Sequence, residues 1–365
     1  MLFIREDEME REEEFYFVAP REPLALVKQG TLRAMLFDGT ARELVKFFAI
    51  PVQPQYSAST NSQARDNGDA LILSMLPPEI YYLIFDHMEC IEDVVCFGFT
   101  HSYFWPFARS YLDDHYKSFL GIWAGKNFVC IGNHIQPDDY PPDLFSAEEL
   151  NKLRQRRVYT PTSRVPFALC HFADPKADHP RTDFVDPRWE ALDVFRRYFH
   201  RDDRGGTRDV LKFKPRMIPT RSTYYPRDQP WVLRNLTTKE FVRAEGIAIK
   251  PEYVHGPNIE LAGFGEVIIL RTCWSGSLCD IPINGTTGQP RGVWAGHRLD
   301  ITTLAKHKSE LDSAKWSDVS DKVAKELADI WFHRFGTDIR EGLPHWYQRP
   351  LMRDPFKESW DCLPF

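Results

Sequence analysis

Cysteine is scarce in this chain: seven residues in 365, an odd number, with no Cys-x-x-Cys pair. That count and spacing argue against a disulfide framework and against a zinc-finger motif, and fit reduced thiols in a cytoplasmic and/or nuclear setting. Basic excess is missing too. Lys and Arg number 46 against 52 Asp and Glu, giving a net charge of −6, so the electrostatic footprint of a nucleic-acid binder is absent. No apolar run approaches the roughly 18 residues that a membrane-spanning helix needs. The opening MLFIREDEMEREEEF has neither the basic start nor the apolar stretch of a secretory signal. No repeat with a period of 20–50 residues emerges, which disfavours propellers and solenoids.

The motifs of common chemistry are equally absent. There is no His-Glu-x-x-His, no Gly-x-Ser-x-Gly and no Gly-Lys-Ser/Thr phosphate loop. Gly263-Phe264-Gly265 lacks a third glycine, and Arg204-Gly205-Gly206-Thr207 lacks the lysine. Cys273 and Cys279 stand six apart, and His255, His297, His333 and His345 are scattered, which reads as core or surface use. Asp138-Asp139 and Asp202-Asp203 fall in Pro- and Gly-rich loops with no rigid element to hold two carboxylates at a working separation. The expectation is no catalytic residue, no cofactor and no metal.

What is present is apolar and aromatic: 43% hydrophobic and 14% aromatic residues, with 27 prolines. Residues 5–14 are densely charged with acidic excess, and PVQPQYSASTNSQARDNGD (51–69) has almost nothing to bury. Residues 1–72 therefore read as an acidic, largely disordered tail and linker, with a short amphipathic helix around Ala41–Phe48. Residues 73–120 read as three short helices. Leu76, Ile80, Leu83 and Ile84 share one helical face, Ile91, Val94, Val95 and Phe99 repeat the spacing, and Tyr103, Phe104, Phe107, Tyr111 and Leu112 repeat it again. Pro77 and Pro78 open the first helix, where a missing N–H costs nothing.

Residues 121–343 read as a mixed body. Lys126–Gly132 is a strand, Ser146 with Glu149 makes a capping box for a helix over Ala147–Arg157, and VPFALCHF (165–172) is strand-like. A helix is expected over Pro187–Phe199 and a basic loop over 201–230. Trp231–Asn235 and Lys239–Ile249 suggest a hairpin. GEVIILRTCW (265–274) is the strongest strand in the pattern, since a continuous apolar run suits an inner strand. GVWAGHRLDITT (292–303) reads as a further strand pair, or one strand bent at Gly296. Ser317–Phe335 is a helix ended by Gly336. Residues 344–365, rich in proline, read as irregular. The fold class is then α+β: an N-terminal three-helix module, a body with a mainly antiparallel sheet, and a long C-terminal helix.

The three-helix stretch resembles the F-box, which docks a substrate receptor onto the Skp adaptor of a cullin ubiquitin ligase. The residues that carry the likeness are Leu76, Pro77, Glu79, Ile80, Leu83, Ile84, Met88, Asp93, Val94 and Phe104. Two departures are a turn at Glu89–Glu92 one residue longer than usual and Phe104 in the place of a tryptophan. The blocks 123–146, 235–247, GFGEVIILRTCW and GVWAGH are similar to fungal proteins that join an F-box-like region to an uncharacterised α+β body. The resemblance implies a non-catalytic substrate receptor that binds the Skp adaptor, and through it cullin, by way of Leu76, Pro77, Ile80, Leu83, Ile84 and Val94. It implies an unknown protein substrate held by the body, with no nucleic acid and no membrane as partners. Arg221, Tyr224, Tyr225, Arg227 and Trp231 form a candidate target-binding patch, because Arg, Tyr and Trp dominate interface hot spots. A non-degradative interaction module, or an enzyme with an unfamiliar site in the body, are the alternatives.

Overall fold

The computed structural model describes residues 13–22, 24–37, 40–52, 77–100, 103–159, 164–173, 224–283, 286–310 and 315–338. Helices and mostly antiparallel strands place the chain in the α+β class. The chain divides into two units. Met1–Ile50, Trp123–Asp183 and Arg227–Phe365 make the larger, and Pro51–Ile122 with Phe184–Pro226 the smaller.

The larger unit holds two four-stranded sheets. In the first, β10 (Cys273–Trp274), β3 (Val129–Gly132), β1 (Phe15–Ala19) and β2 (Leu24–Gly30) lie side by side in that order. β1 pairs antiparallel with both β2 and β3, while β10 runs parallel to β3. Phe15, Phe17 and Val18 of β1 are buried, as an inner strand covered on two faces requires. In the second, the order is β13 (Leu299–Thr303), β6 (Trp231–Asn235), β7 (Glu240–Arg243) and β14 (Ser317–Asp318). The β6–β7 hairpin follows the sequence pattern, but β7 ends at Arg243 and a helical turn, Ala244–Ile247, takes over. Arg234 and Asp300 face each other in the β6–β13 register and join through two 2.7 Å hydrogen bonds, both side chains almost fully buried.

The expected tail is where sequence and structure part. Between Phe15 and Phe48 the described residues belong to the larger unit, and many of them to its core. The helices α1 (Leu32–Phe37) and α2 (Thr40–Phe48) follow β2. On α2, Ala41, Leu44, Val45 and Phe48 are buried at i, i+3, i+4 and i+7, the stripe an amphipathic helix lays on a core. Phe48 meets the rings of Phe128 at 4.9 Å and Trp123 at 5.8 Å, and Phe17 stacks on Phe128.

The segment expected as the strongest strand is a helix, Phe264–Thr272, with all nine residues buried. A short apolar run has no period to separate an inner strand from a helix buried all round. What decides is local. The Glu266 carboxylate accepts the N–H of Gly263, the residue before the helix, at 2.8 Å. The reciprocal half of a capping box is impossible because glycine has no side chain. Gly265 lets α2 approach so closely that a Cβ there would stand 1.8 Å from the Ala41 carbonyl oxygen. Only Cys273 and Trp274 of the expected strand pair in a sheet.

Smaller differences follow the same logic. VPFALCHF splits into the short strand Arg164–Pro166 and a 3-10 turn, Leu169–Ala173. In 292–303 only Leu299–Thr303 is strand, since Gly296 has a φ of 80°. The helix Ala147–Gln155 carries both halves of its capping box, Glu149 N–H to Ser146 Oγ at 3.3 Å and Ser146 N–H to Glu149 Oε2 at 2.7 Å. Ser320–Phe335 forms a helix whose Val323, Leu327, Ile330 and Trp331 are buried, ended by Gly336 in the left-handed conformation. The expected helix over 187–199, most of the basic loop at 201–230 and the tail 344–365 lie outside the described residues.

Among the described residues, the smaller unit contains three helices: Pro78–Asp86, Ile91–Thr100 and Trp105–Phe119. Rings hold them together. Phe85 lies 5.4 Å from Phe97 and 5.3 Å from Tyr111, and Tyr81 lies 5.4 Å from Phe104 and 5.2 Å from Phe107. Gly98 faces Ala108, and a Cβ at Gly98 would sit 2.3 Å from the alanine methyl, so the second and third helices cross closely there. Tyr111 ties the third helix to the end of the first by donating to Asp86, with the Tyr82 carbonyl 3.0 Å away; burial, then the Asp86 hydrogen bond, push its phenol up to about 12.

Candidate functional site

The first helix of the smaller unit is apolar on two faces. Pro77 precedes it and Pro78 occupies its first turn, both compatible with unsatisfied N–H positions. Its C-terminal end is closed by the His87 N–H, 3.3 Å from the Leu83 and Ile84 carbonyls. Tyr81 and Phe85, one turn apart, are buried among the aromatic rings. On the rest of the helix, Ile80 is 38% exposed, Tyr82 48% and Leu83 54%. Ile80 and Leu83, three apart, share one face of the helix, and Tyr82 lies beside Leu83 further round it, so large apolar side chains present surface that the described residues leave to solvent.

The residues singled out in sequence divide accordingly. Pro77, Ile80 and Leu83 are exposed and Ile84 is partly so. Val94 is 3% exposed and belongs to the interior, which corrects its expected place at an interface. Leu76 lies outside the described residues. Phe104, at the position of the departure from tryptophan, is buried and 4.8 Å from Phe97.

The aromatic members of the candidate target patch belong to the interior. Tyr224, Tyr225 and Trp231 are all buried. Tyr224 donates to Asp113 at 2.5 Å and its carbonyl accepts the Val52 N–H at 2.9 Å. Trp231 opens β6 opposite Thr303. Arg227 is exposed, and Arg221 lies outside the described residues. The aromatic residues that suggested recognition are spent on packing, an ambiguity that composition alone cannot resolve.

The other residues raised by the sequence have structural surroundings. Cys273 faces Cys130 across the β10–β3 pair, and burial raises both thiols well above their ordinary range, which keeps them protonated and unreactive. His255 pairs with Glu260 at 2.8 Å. His297 sits 2.9 Å from the Asn235 amide, with its pKa lowered by burial. His333 is exposed, and His345 lies outside the described residues. Asp138 accepts from Arg154 and Asp139 from Arg291 and Trp274, so the two carboxylates serve separate ion pairs. Asp202 and Asp203 lie outside the described residues. Among the described residues no group of three or more His, Cys, Asp or Glu is placed to hold a metal, and no helix is long and apolar enough to cross a membrane.

One polar cluster escaped the sequence because its members are far apart. Ser275 donates to Glu13 at 2.5 Å, the Ser277 N–H reaches Ser275 Oγ at 3.0 Å, and His134 Nδ1 lies 2.9 Å from Ser277 Oγ. A Ser–His contact is the start of a nucleophile–base pair. Here the ring is exposed, and among the described residues no carboxylate orients it, since Glu13 takes the His134 backbone N–H at 3.1 Å. The cluster fastens the start of β1 to the 275–277 turn.

No protein-family model, no curated protein and no solved structure matches the chain.

Proposed function

We propose that the chain is a substrate receptor of a cullin-based ubiquitin ligase, its 78–119 helices an F-box that binds the Skp adaptor. The observation that carries the reading is the pair Ile80 and Leu83, three apart on one face and partly exposed with Tyr82 beside Leu83, on a helix whose own packing uses Tyr81 and Phe85. Two of the three exposed residues, with Pro77, are also among those that carry the F-box likeness. Fully burying a side chain of this size is worth about 1.5–3 kcal/mol; Ile80 and Leu83 have 38% and 54% of their surface left to cover, so a groove that takes both gains a corresponding part of that without disturbing the fold. In this reading the α+β body binds a protein target and raises its effective concentration near the ubiquitin-charged enzyme; the chain itself breaks and forms no bonds.

The test is co-purification of the full chain with the Skp adaptor, comparing wild type with Ile80→Asp/Leu83→Asp. Both side chains are partly exposed, so the variant stays folded by circular dichroism, with at most a modest fall in melting temperature, while adaptor binding falls at least thirty-fold, the equivalent of about 2 kcal/mol. Absence of adaptor binding by the wild type, or equal binding by a folded double variant, defeats the proposal. Adaptor binding without ubiquitylation of any bound protein would favour a non-degradative module.

A further inference from the structure

A cleft of about 630 Å³ in the larger unit is lined by the turn after β1 (Pro20–Glu22), the loop before β3 (Gly125–Asn127), one face of the helix Ala147–Gln155, Phe172 and Arg298. Its position follows from the fold. β1 and β3 pair antiparallel with Val18 opposite Val129, so the turn at 20–22 and the loop at 125–127 emerge at the same end. Glu149, Lys152, Leu153 and Arg156 stand at i, i+3, i+4 and i+7 and line the cleft together.

The lining carries five cations, Arg21, Lys126, Lys152, Arg156 and Arg298, against two carboxylates, Glu22 and Glu149. This local excess stands in a chain whose net charge is −6. Both carboxylates are already engaged: Arg21 with Glu149 at 2.8 Å and Lys126 with Glu22 at 3.2 Å. Lys152 pairs with Glu148 outside the lining at 2.7 Å. Among the described residues, Arg156 and Arg298 meet no carboxylate. Arg156 instead lies over the Phe167 ring at 4.4 Å, which favours one placement of its guanidinium. Beside these charges, Phe145, Leu153 and Phe172 supply an apolar floor, with Phe145 stacked 6.1 Å from Phe172.

We propose that this cleft binds an acidic protein segment that carries a bulky apolar side chain. Two guanidinium groups without carboxylates match carboxylates bidentately, and the floor matches one apolar anchor. The openness of the site selects a segment over a small molecule. Small-molecule sites enclose 70–90% of their ligand, whereas here the rim is solvent-facing, with Arg21 44% and Lys152 73% exposed. Arginine beside apolar surface is also the composition of protein–protein hot spots. The site does not depend on adaptor binding; if the receptor reading holds, the segment belongs to the target.

The test uses the purified full chain without adaptor. A fluorescein-labelled peptide, Asp-Glu-Phe-Glu-Asp flanked by glycines, is titrated by anisotropy, beside its Asn-Gln-Phe-Gln-Asn counterpart and a version with glycine in place of phenylalanine. The expected result is binding of the first that weakens at least tenfold in either counterpart, in Arg156→Glu/Arg298→Glu, and between low and physiological salt. Ile80→Asp/Leu83→Asp should bind the peptide as wild type does, which separates this site from the adaptor surface. The proposal is overturned by no binding, by equal binding to the folded arginine variant or to the neutral peptide, or by displacement with a single-stranded oligonucleotide or tripolyphosphate at equal or lower concentration. The last result would mark a general polyanion surface.

Discussion

Glu266 is a carboxylate enclosed by the larger unit, and its ionisation is opposed by what surrounds it. Burial, the dominant cause, pushes it up to about 7, against hydrogen bonds from the backbone N–H groups of Gly263 and Glu266 and the charge of Arg42, which favour the anion. A carboxyl group whose folded pKa lies above its unfolded value binds protons more tightly in the native state. Its contribution to stability is therefore complete below the ordinary value of 4.5 and is lost as pH rises through about 7. At about 1.4 kcal/mol per pH unit the loss is on the order of 3 kcal/mol. Glu149, Glu310 and Asp318 have lowered pKa values and work in the opposite direction, so the difference between wild type and Glu266→Gln isolates the effect. Glutamine keeps an oxygen for the Gly263 N–H and never ionises. Urea denaturation should find the variant gaining on wild type between pH 4.5 and 7 and keeping a constant lead above that. A flat difference across the range would mean the group ionises in the native state as freely as in water. None of this was legible in sequence, where Glu266 is one acidic residue among 52 Asp and Glu.

At the scale of the element, the sequence spoke clearly where a motif was local. Ser146 and Glu149 cap the helix they announce, and the β6–β7 hairpin forms where the pattern places it. It misled where the signal was only an apolar run, as at Phe264–Thr272. The missed clue is Gly265. Within a strand of a sheet it would be a weakness; within a helix it is the point where another helix comes in. Gly265→Ala should therefore destabilise the larger unit by about 3 kcal/mol, the upper end for overpacking, although alanine is normally the better helix former. Because the added Cβ would meet backbone atoms of Ala41, the nearest being its carbonyl oxygen, trimming that side chain with Ala41→Gly should not rescue it. A stabilised Gly265→Ala protein in chemical denaturation would contradict the close crossing of α2 with this helix.

For the molecule as a whole, sequence pattern and structure differ most over the first fifty residues. Charge density at 5–14 and the polar stretch at 51–69 drew the intervening chain into an expected tail, although FYFV at 15–18 has the aromatic and β-branched character of an inner strand. The strand is illegible in isolation for a physical reason. A single strand has no stability of its own, and β1 gains meaning only between β2 and β3, the latter more than a hundred residues away. The consequence is measurable. Phe15, Phe17, Val18, Leu44, Val45, Phe47 and Phe48 are all at most 3% exposed. At about 2 kcal/mol each, an upper estimate because unfolded chains are partly compact, they approach the whole 5–15 kcal/mol by which a domain is stable. A chain begun at residue 73 should therefore lack the cooperative thermal transition of the larger unit, lose the β1-centred sheet and expose the rings of Trp123 and Phe128 to solvent, read as a red-shifted tryptophan emission and binding of a hydrophobic dye. If that shortened chain melted within a few degrees of the full protein, residues 15–48 would be an appendage after all. The acidic-peptide cleft offers a second reading of the same experiment, because Arg21 and Glu22 leave with the strand. Peptide binding should disappear with the fold, and its survival in the shortened chain would show that the cleft forms without β1 and without Arg21 and Glu22.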